Sequence, residues 1–238
     1  MRLLRTLLDT AFSGVSLLSL EHPSLRRLAR GRDGNHRGSD SRHLALFAPM
    51  PPHAGAGVHR PLSFVQYGAK HGWRIDAFDE PEAEPENRPG NELLSRVPSL
   101  VTIHAIPTSS REPSYRFFPR IDGGFTNALA HAAYAIDALR TDPPDVVLAS
   151  GPPFFTFVAA RFVARHFDVP FVLDYRDEWT ECPFEFVTKN SGDLSWERRC
   201  LAEADAVLFA TESFLHHQLS VFPELDRQRA HVVPNGWD

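Results

Sequence analysis

Long apolar runs, lysine and cysteine are all scarce in this chain of 238 residues. No segment reaches the roughly 18 consecutive apolar residues that a bilayer-spanning helix requires. Lysine occurs only at positions 70 and 189, against 23 arginines, a compositional bias with no mechanistic content. Cys182 and Cys200 stand apart with no CxxC pair, which fits a reducing cytoplasm better than a secreted disulfide scaffold. Recognisable catalytic signatures are missing as well. There is no GxSxG elbow, no GxxxxGK[ST] loop and no HExxH. The twelve histidines are scattered, and adjacent His216 and His217 point to different faces of a helix, so no metal site is expected. A net charge of −5 with no basic stripe argues against a nucleic-acid partner.

A hydrophobic content of 42% is enough for one substantial core. Charge is distributed unevenly. Residues 1–43 hold eight Arg and four acids, a net of +4, so the remainder carries −9. Within this head, Leu4, Leu8 and Phe12 recur at i, i+4 spacing, with Arg2, Arg5 and Asp9 on the other side. Residues 1–42 therefore read as a basic amphipathic helical extension and a polar linker. Asp9 interrupts the apolar content and no small-x-small site follows, which disfavours a signal peptide. The helix either docks on the domain or lies on a membrane surface through residues 1–30.

From His43 onward, short apolar strands alternate with helical patterns. "HLALFAP", "WRIDAF", "SLVTIHAI", "DVVLAS", "VPFVLDY", "DAVLFAT" and "AHVVP" read as strands, several of them apolar on both faces. Alternation with doubly buried strands implies a parallel sheet covered on both sides. The expectation is an α/β fold, a single doubly wound Rossmann-like domain over residues 43–238. The proline-rich acidic stretch 79–91 reads as a surface loop, and 109–124 as a flap or surface loop.

In such sheets ligands bind beyond the carboxyl ends of the strands, beside the switch in strand order. Four loops fall there. Gly55 and Gly57, ahead of Arg60, suit either a tight turn or an anion- or sugar-contacting loop at a helix start. The pattern is not GxGxxG, because position 60 is Arg. Ser150 and Gly151 could touch a ligand, while Pro152 and Pro153 start the next helix. "LDYRDEWTE" delivers Arg176, Asp177 and Trp179 to the strand edge. Arg suits bidentate pairing with carboxylate or phosphate, Asp suits sugar hydroxyls, and Trp suits stacking on a sugar face. The alternative is an Arg176–Asp177 ion pair that fixes the loop. In "FATES", Thr211 reads as a helix N-cap with Glu212 in the first turn.

Six segments taken in order, "PPHAGAGVHR", "YGAKHGW", "PDVVLASGPP", "VPFVLDYRDEW", "ERRCLAEADAVLFATES" and "HVVPNGWD", resemble the N-terminal domain of family 4 glycosyltransferases. These are retaining enzymes of the GT-B fold that act in cell-envelope and exopolysaccharide assembly. The resemblance implies an acceptor-side domain, with a glycan or lipid-linked acceptor and a nucleotide-sugar donor as co-substrate. It implies no resident cofactor and no metal. By position, Gly55 and Gly57 match the loop that approaches the donor phosphates and the acceptor. Arg176, Asp177 and Trp179 match the segment lining the cleft, and Glu212 the polar position after the sixth strand. "VVPNGWD" resembles the family's exit toward a second, donor-binding domain, which is expected to follow and which carries the family's Glu-x7-Glu element. This chain alone is then expected to be inactive. A non-catalytic glycan-binding or partner-docking remnant of the fold is the alternative.

Overall fold

The structure is a computed structural model that describes residues 42–53, 55–80, 91–107, 120–184 and 191–236. The expected head helix, most of the acidic loop and most of the 109–124 segment lie outside the described residues. Seven strands form one sheet: β1 (His43–Phe47), β2 (Arg74–Asp79), β3 (Val101–Ala105), β4 (Val146–Gly151), β5 (Phe171–Tyr175), β6 (Ala206–Phe209) and β7 (Ala230–Val232). Every pairing is parallel and the order is β3-β2-β1-β4-β5-β6-β7. The chain therefore builds outward from β1 in one direction, returns, and builds outward from β4 in the other. The strand order reverses between β1 and β4, as the sequence pattern predicts for a doubly wound fold.

Among the described residues six helices connect the strands: α1 (Ala56–Lys70), α2 (Asn91–Leu94), α3 (Phe125–Ala138), α4 (Phe155–Phe167), α5 (Ser191–Glu203) and α6 (Glu212–Val221). The four-residue α2 is too short to leave a periodic signal, and the sequence gives no hint of it. Alternation along each strand sorts the core into two faces. Ala45, Phe47, Phe78, Ala149, Leu173, Tyr175 and Phe209 point to the face covered by α3, α4, α5 and α6. Helix α4 lies in the middle of that layer, so its residues from Phe155 to Ala164 are all buried. Leu46, Ile75 and Ala77 point to the opposite face, where Leu62 and Val65 of α1 cover them. Val172 of β5 and Leu208 of β6 share that second face yet are only half-buried. Among the described residues, α1 is the last helix on its side, and its outer flank borders open space.

Local sequence explains where α1 starts and stops. Gly55 stands at its N-cap with φ 103, a left-handed region that favours glycine, and Gly72 with φ 78 turns the chain into β2. At α6, the Thr211 hydroxyl accepts a hydrogen bond from the Phe214 N–H at 3.2 Å, the expected cap.

Candidate functional site

The carboxyl ends of β1, β4, β5 and β6 bring the four candidate loops to one edge of the sheet. At its centre is a buried polar knot. Asp174, the fourth residue of β5, has no exposed surface and points to the α1 side of the sheet. Arg60, one helical turn into α1, donates from Nε to both Asp174 oxygens at 3.0 Å and from Nη2 to Oδ1 at 2.7 Å. Its remaining nitrogen, Nη1, donates to the Val233 carbonyl at 2.7 Å and to Asn235 Oδ1 at 3.2 Å. Ser150 Oγ completes the set by donating to Asp174 Oδ2 at 2.7 Å. One guanidinium thus ties α1, β5 and the segment after β7 together. The desolvation of the ion pair is offset by a full complement of hydrogen bonds.

Arg176, two residues beyond Asp174, is placed differently. Its Nη1 donates to the Gly57 carbonyl and its Nη2 to the Pro152 carbonyl, so backbone oxygens of two loops hold it. No carboxylate among the described residues hydrogen-bonds to it. Burial pulls its pKa below the usual arginine range, the nearby Arg60 acts in the same direction, and the charges of Asp174 and Asp177 oppose both. A Cβ at Gly57 would lie 2.6 Å from Arg176 Nη1, so glycine at 57 is what lets the guanidinium lie against α1. The first turn of α1 contains no acidic residue and Gly55 has no side chain to cap it. The positive end of the helix dipole is left uncompensated beside a fixed cation. Asp177 is exposed and lines the same open groove as Arg176.

Trp179 does not reach the cleft. Its ring stacks on Phe154 at a centroid distance of 5.1 Å and meets Phe157 edge-on at 6.0 Å, inside the α3–α6 core. Its Nε1 donates to Asp193 Oδ1 at 2.9 Å. With 3% of its surface exposed, the ring is not available to stack on a sugar in this structure. The reason is a turn of the chain after Asp177 that folds the loop back under the sheet edge. Two buried acids on α5 hold that turn. Asp193 also accepts from the Asp122 N–H at 2.7 Å. Glu197 accepts from the Thr180 N–H at 3.0 Å, from the Thr180 hydroxyl, and from the Tyr175 hydroxyl at 3.1 Å. Burial pushes the Glu197 carboxyl up to about 7, the bonds from Thr180 and Tyr175 oppose the rise, and the charge of Glu181 adds to it.

The structure therefore separates the residues that the sequence grouped. Gly55, Gly57, Arg176 and Asp177 share the open edge, and Glu212 stands exposed at the start of α6. Arg60 and Ser150, expected at the ligand, are buried and engaged with Asp174 instead. Gly151 is buried, and a Cβ there would come within 2.7 Å of the Phe154 ring, so it serves packing. Asp193 and Glu197 were missed, although a signal existed. They occupy the same helical stripe as Trp196 and Cys200, where two acids stand among residues of a buried face. Among the described residues no three His, Cys, Asp or Glu side chains converge as metal ligands do. No described helix is long and apolar enough to cross a membrane.

A seven-stranded parallel sheet wound outward from β1 and β4, with its open site at the carboxyl edge, has the fold of one Rossmann-like half of the GT-B glycosyltransferases. The chain belongs to the glycosyl transferase 4-like domain family, which it matches over residues 55–236. Among solved structures, it is similar to a sucrose-phosphate synthase from Thermosynechococcus elongatus, at 12% identity and a TM-score of 0.61, covering 83% of this chain and 49% of that one. A glycosyltransferase from Rickettsia africae ESF-5 is similar at 13% identity and a TM-score of 0.53, covering 84% and 44%. UGT2 of Phytolacca americana, solved with UDP-2-fluoro-glucose and pterostilbene, is similar at 14% identity and a TM-score of 0.51, covering 84% and 55%. At such identities the likeness is one of fold. The chain spans about half the length of these structures. No curated protein matches it.

Proposed function

We propose that this chain is the acceptor-side half of a retaining glycosyltransferase that moves a sugar from a nucleotide-sugar donor to a glycan or lipid-linked acceptor in envelope or exopolysaccharide synthesis. The observation that carries the reading is the placement of Arg176. A guanidinium held by two backbone carbonyls, with no described carboxylate bonded to it, lies beside the uncapped start of α1. A preorganised cation and free helix N–H groups at one point suit a phosphate that gains charge as its bond to the sugar breaks. Gly55 leaves open space in front of that helix end, since a Cβ there would meet nothing within 4 Å. Asp177, exposed on the same groove, is suited to accept a hydrogen bond from an acceptor hydroxyl. The donor base and ribose belong, in this reading, to a second domain joined beyond β7, and no resident cofactor or metal is called for. The basic head then serves as a weak, reversible contact with the inner face of the membrane.

The test is reconstitution. The 238-residue chain, incubated with a panel of nucleotide sugars, is expected to release no nucleotide. A fusion carrying the donor-binding domain of a family 4 glycosyltransferase after Gly236 is expected to hydrolyse or transfer from one of them, and to lose that activity in Arg176→Ala. Turnover by the unfused chain would refute the two-half reading.

A further inference from the structure

A groove of about 1240 Å³ leaves the candidate site and runs along the outer flank of α1. It opens at Arg176 and Asp177, follows one stripe of the helix through Gly57, Phe64, Tyr67 and His71, and ends at Trp73 and Arg42. From Gly57 to His71 the helix rises about 21 Å, so the groove is several sugar rings long. It exists because no described helix packs beyond α1 on that face of the sheet.

Three of its rings stand beside cations. Arg42, itself in the lining, lies 5.6 Å from the centroid of Trp73; Lys70, outside the lining, lies 4.7 Å from that of Tyr67; and Arg60, whose charge Asp174 takes up, lies 5.2 Å from that of Phe64. Each ring thus has a cation beside it, an arrangement in which ring and charge support one another. Tyr67 is 50% exposed, a large ring left in solvent on a helix whose opposite side is core. Arg42 is exposed as well, and no described carboxylate lies within ion-pair distance of it. Among the described lining residues the one acid is Asp177, at the end nearest the site. A row of rings offers flat apolar surfaces to the C–H faces of sugars, and Arg42, the exposed cation among the lining residues, suits a carboxylate on the same chain.

We propose that this groove binds an extended acidic glycan, the non-reacting length of the acceptor, and that Tyr67, Trp73 and Arg42 select for it. The inference rests on the glycosyltransferase reading and gives its acceptor a class. A polynucleotide would also meet rings and cations, and oligouridylate in the titration below tells the two apart.

Calorimetric titration of the full chain tests the assignment without any donor half. Hexagalacturonate is the acidic probe, maltohexaose the neutral one and oligouridylate the polynucleotide. Saturable binding of hexagalacturonate is expected, weakened about fivefold or more by Tyr67→Ala and by Arg42→Ala separately, and weakened again in 0.5 M salt. Both residues are surface positions outside the Arg176 and Asp177 constellation, so the fold is preserved. No saturable binding, or binding that neither substitution weakens, overturns the proposal. Equal affinity for maltohexaose removes the acidic class, and tighter binding of oligouridylate replaces it with nucleic acid. Failure of the fusion enzyme to transfer would leave this binding result untouched, which keeps the two readings separable.

Discussion

Pro61 and Arg176 act on the same carbonyl oxygen. In a regular helix the N–H of residue 61 would bond to the oxygen of residue 57, but Pro61 has no N–H to give. Arg176 Nη1 donates to that oxygen instead. A proline inside α1 therefore creates a vacancy in the helix ladder, and an arginine 115 positions further along the sequence fills it.

Gly57→Ala checks this arrangement. The new Cβ would sit 2.6 Å from Arg176 Nη1, at the flexible end of that side chain. The guanidinium is expected to shift while helix propensity improves by about 1 kcal/mol. Thermal melting should show a protein slightly less stable than the parent, by up to about 2 kcal/mol, because the Gly57 and Pro152 carbonyls lose their donor and the propensity gain offsets only part of that loss. The fusion enzyme should nevertheless lose activity, because the cation has left its place.

Arg176→Ala and Asp177→Ala should part company in stability. The sequence alone suggests that both cost less than about 1 kcal/mol, as exposed residues do. The structure keeps that expectation for Asp177, which is exposed. For Arg176 it raises the cost to about 1–3 kcal/mol, because the Gly57 and Pro152 carbonyls lose their donor. Urea denaturation of the two variants measures the difference.

Arg60→Ala leaves Asp174 buried with the Ser150 hydroxyl as its remaining side-chain donor among the described residues. A loss of about 3–5 kcal/mol is expected, the range for breaking a buried pair from one side. Replacing both partners, as Arg60→Met with Asp174→Leu, should cost much less than the sum of the single changes. A double-mutant cycle from chemical denaturation reads the coupling.

Two buried groups pull the pH dependence of stability in opposite directions. Glu197 keeps its proton in the fold to about 7 against 4.5 for the ordinary carboxyl, so its contribution is full below about 4.5 and is lost as pH rises through about 7. His131, buried against Phe155, is held down to about 4 from 6.5, so its contribution is full above 6.5 and is lost as pH falls through about 4. The slopes offset each other between pH 4.5 and 6.5. Glu197→Gln should expose a stability that rises with pH across that interval, and His131→Phe one that falls. Tyr175, Thr180, Glu181 and Cys200 face Glu197, and all are unchanged in the two variants. Denaturation midpoints at half-unit pH steps measure both.

Membrane contact by the head is checked by co-sedimentation with anionic liposomes. Each arginine near such a surface contributes about 1 kcal/mol. Binding at low salt, lost at high salt and lost on deletion of residues 1–30, is the expected result. Equal binding by the deleted form would remove the head from the account.

Much of the fold was legible because buried parallel strands are written as unbroken apolar runs. "VPFVLDY" and "DAVLFAT" could hardly be anything else, and helix punctuation by Gly55, Gly72 and Thr211 is local chemistry. The open part of the site was legible for a related reason. Arg176 and Asp177 follow directly on a buried strand, and strand ends point to the ligand edge. The partnerships were hidden by distance along the chain. Arg60 and Asp174 are 114 residues apart, and nothing near either one announces the other. Trp179 misled because two residues of turn are enough to reverse which side of the edge a ring occupies. Composition reads such a ring as a sugar platform, whereas Phe154, Phe157 and Asp193 make it core.

The Arg60 contacts with Val233 and Asn235 also have a mechanical meaning. The chain leaves the last strand across the side chain that braces the site, so exit and site share one fastening. Tension applied to the backbone beyond Gly236 passes to Arg60 first, then to Asp174 and to α1, whose opening turn carries Gly57 and with it Arg176. A body swinging at the end of this chain would thus tug on the cation of the site through a linkage of three side chains, with no need to touch it.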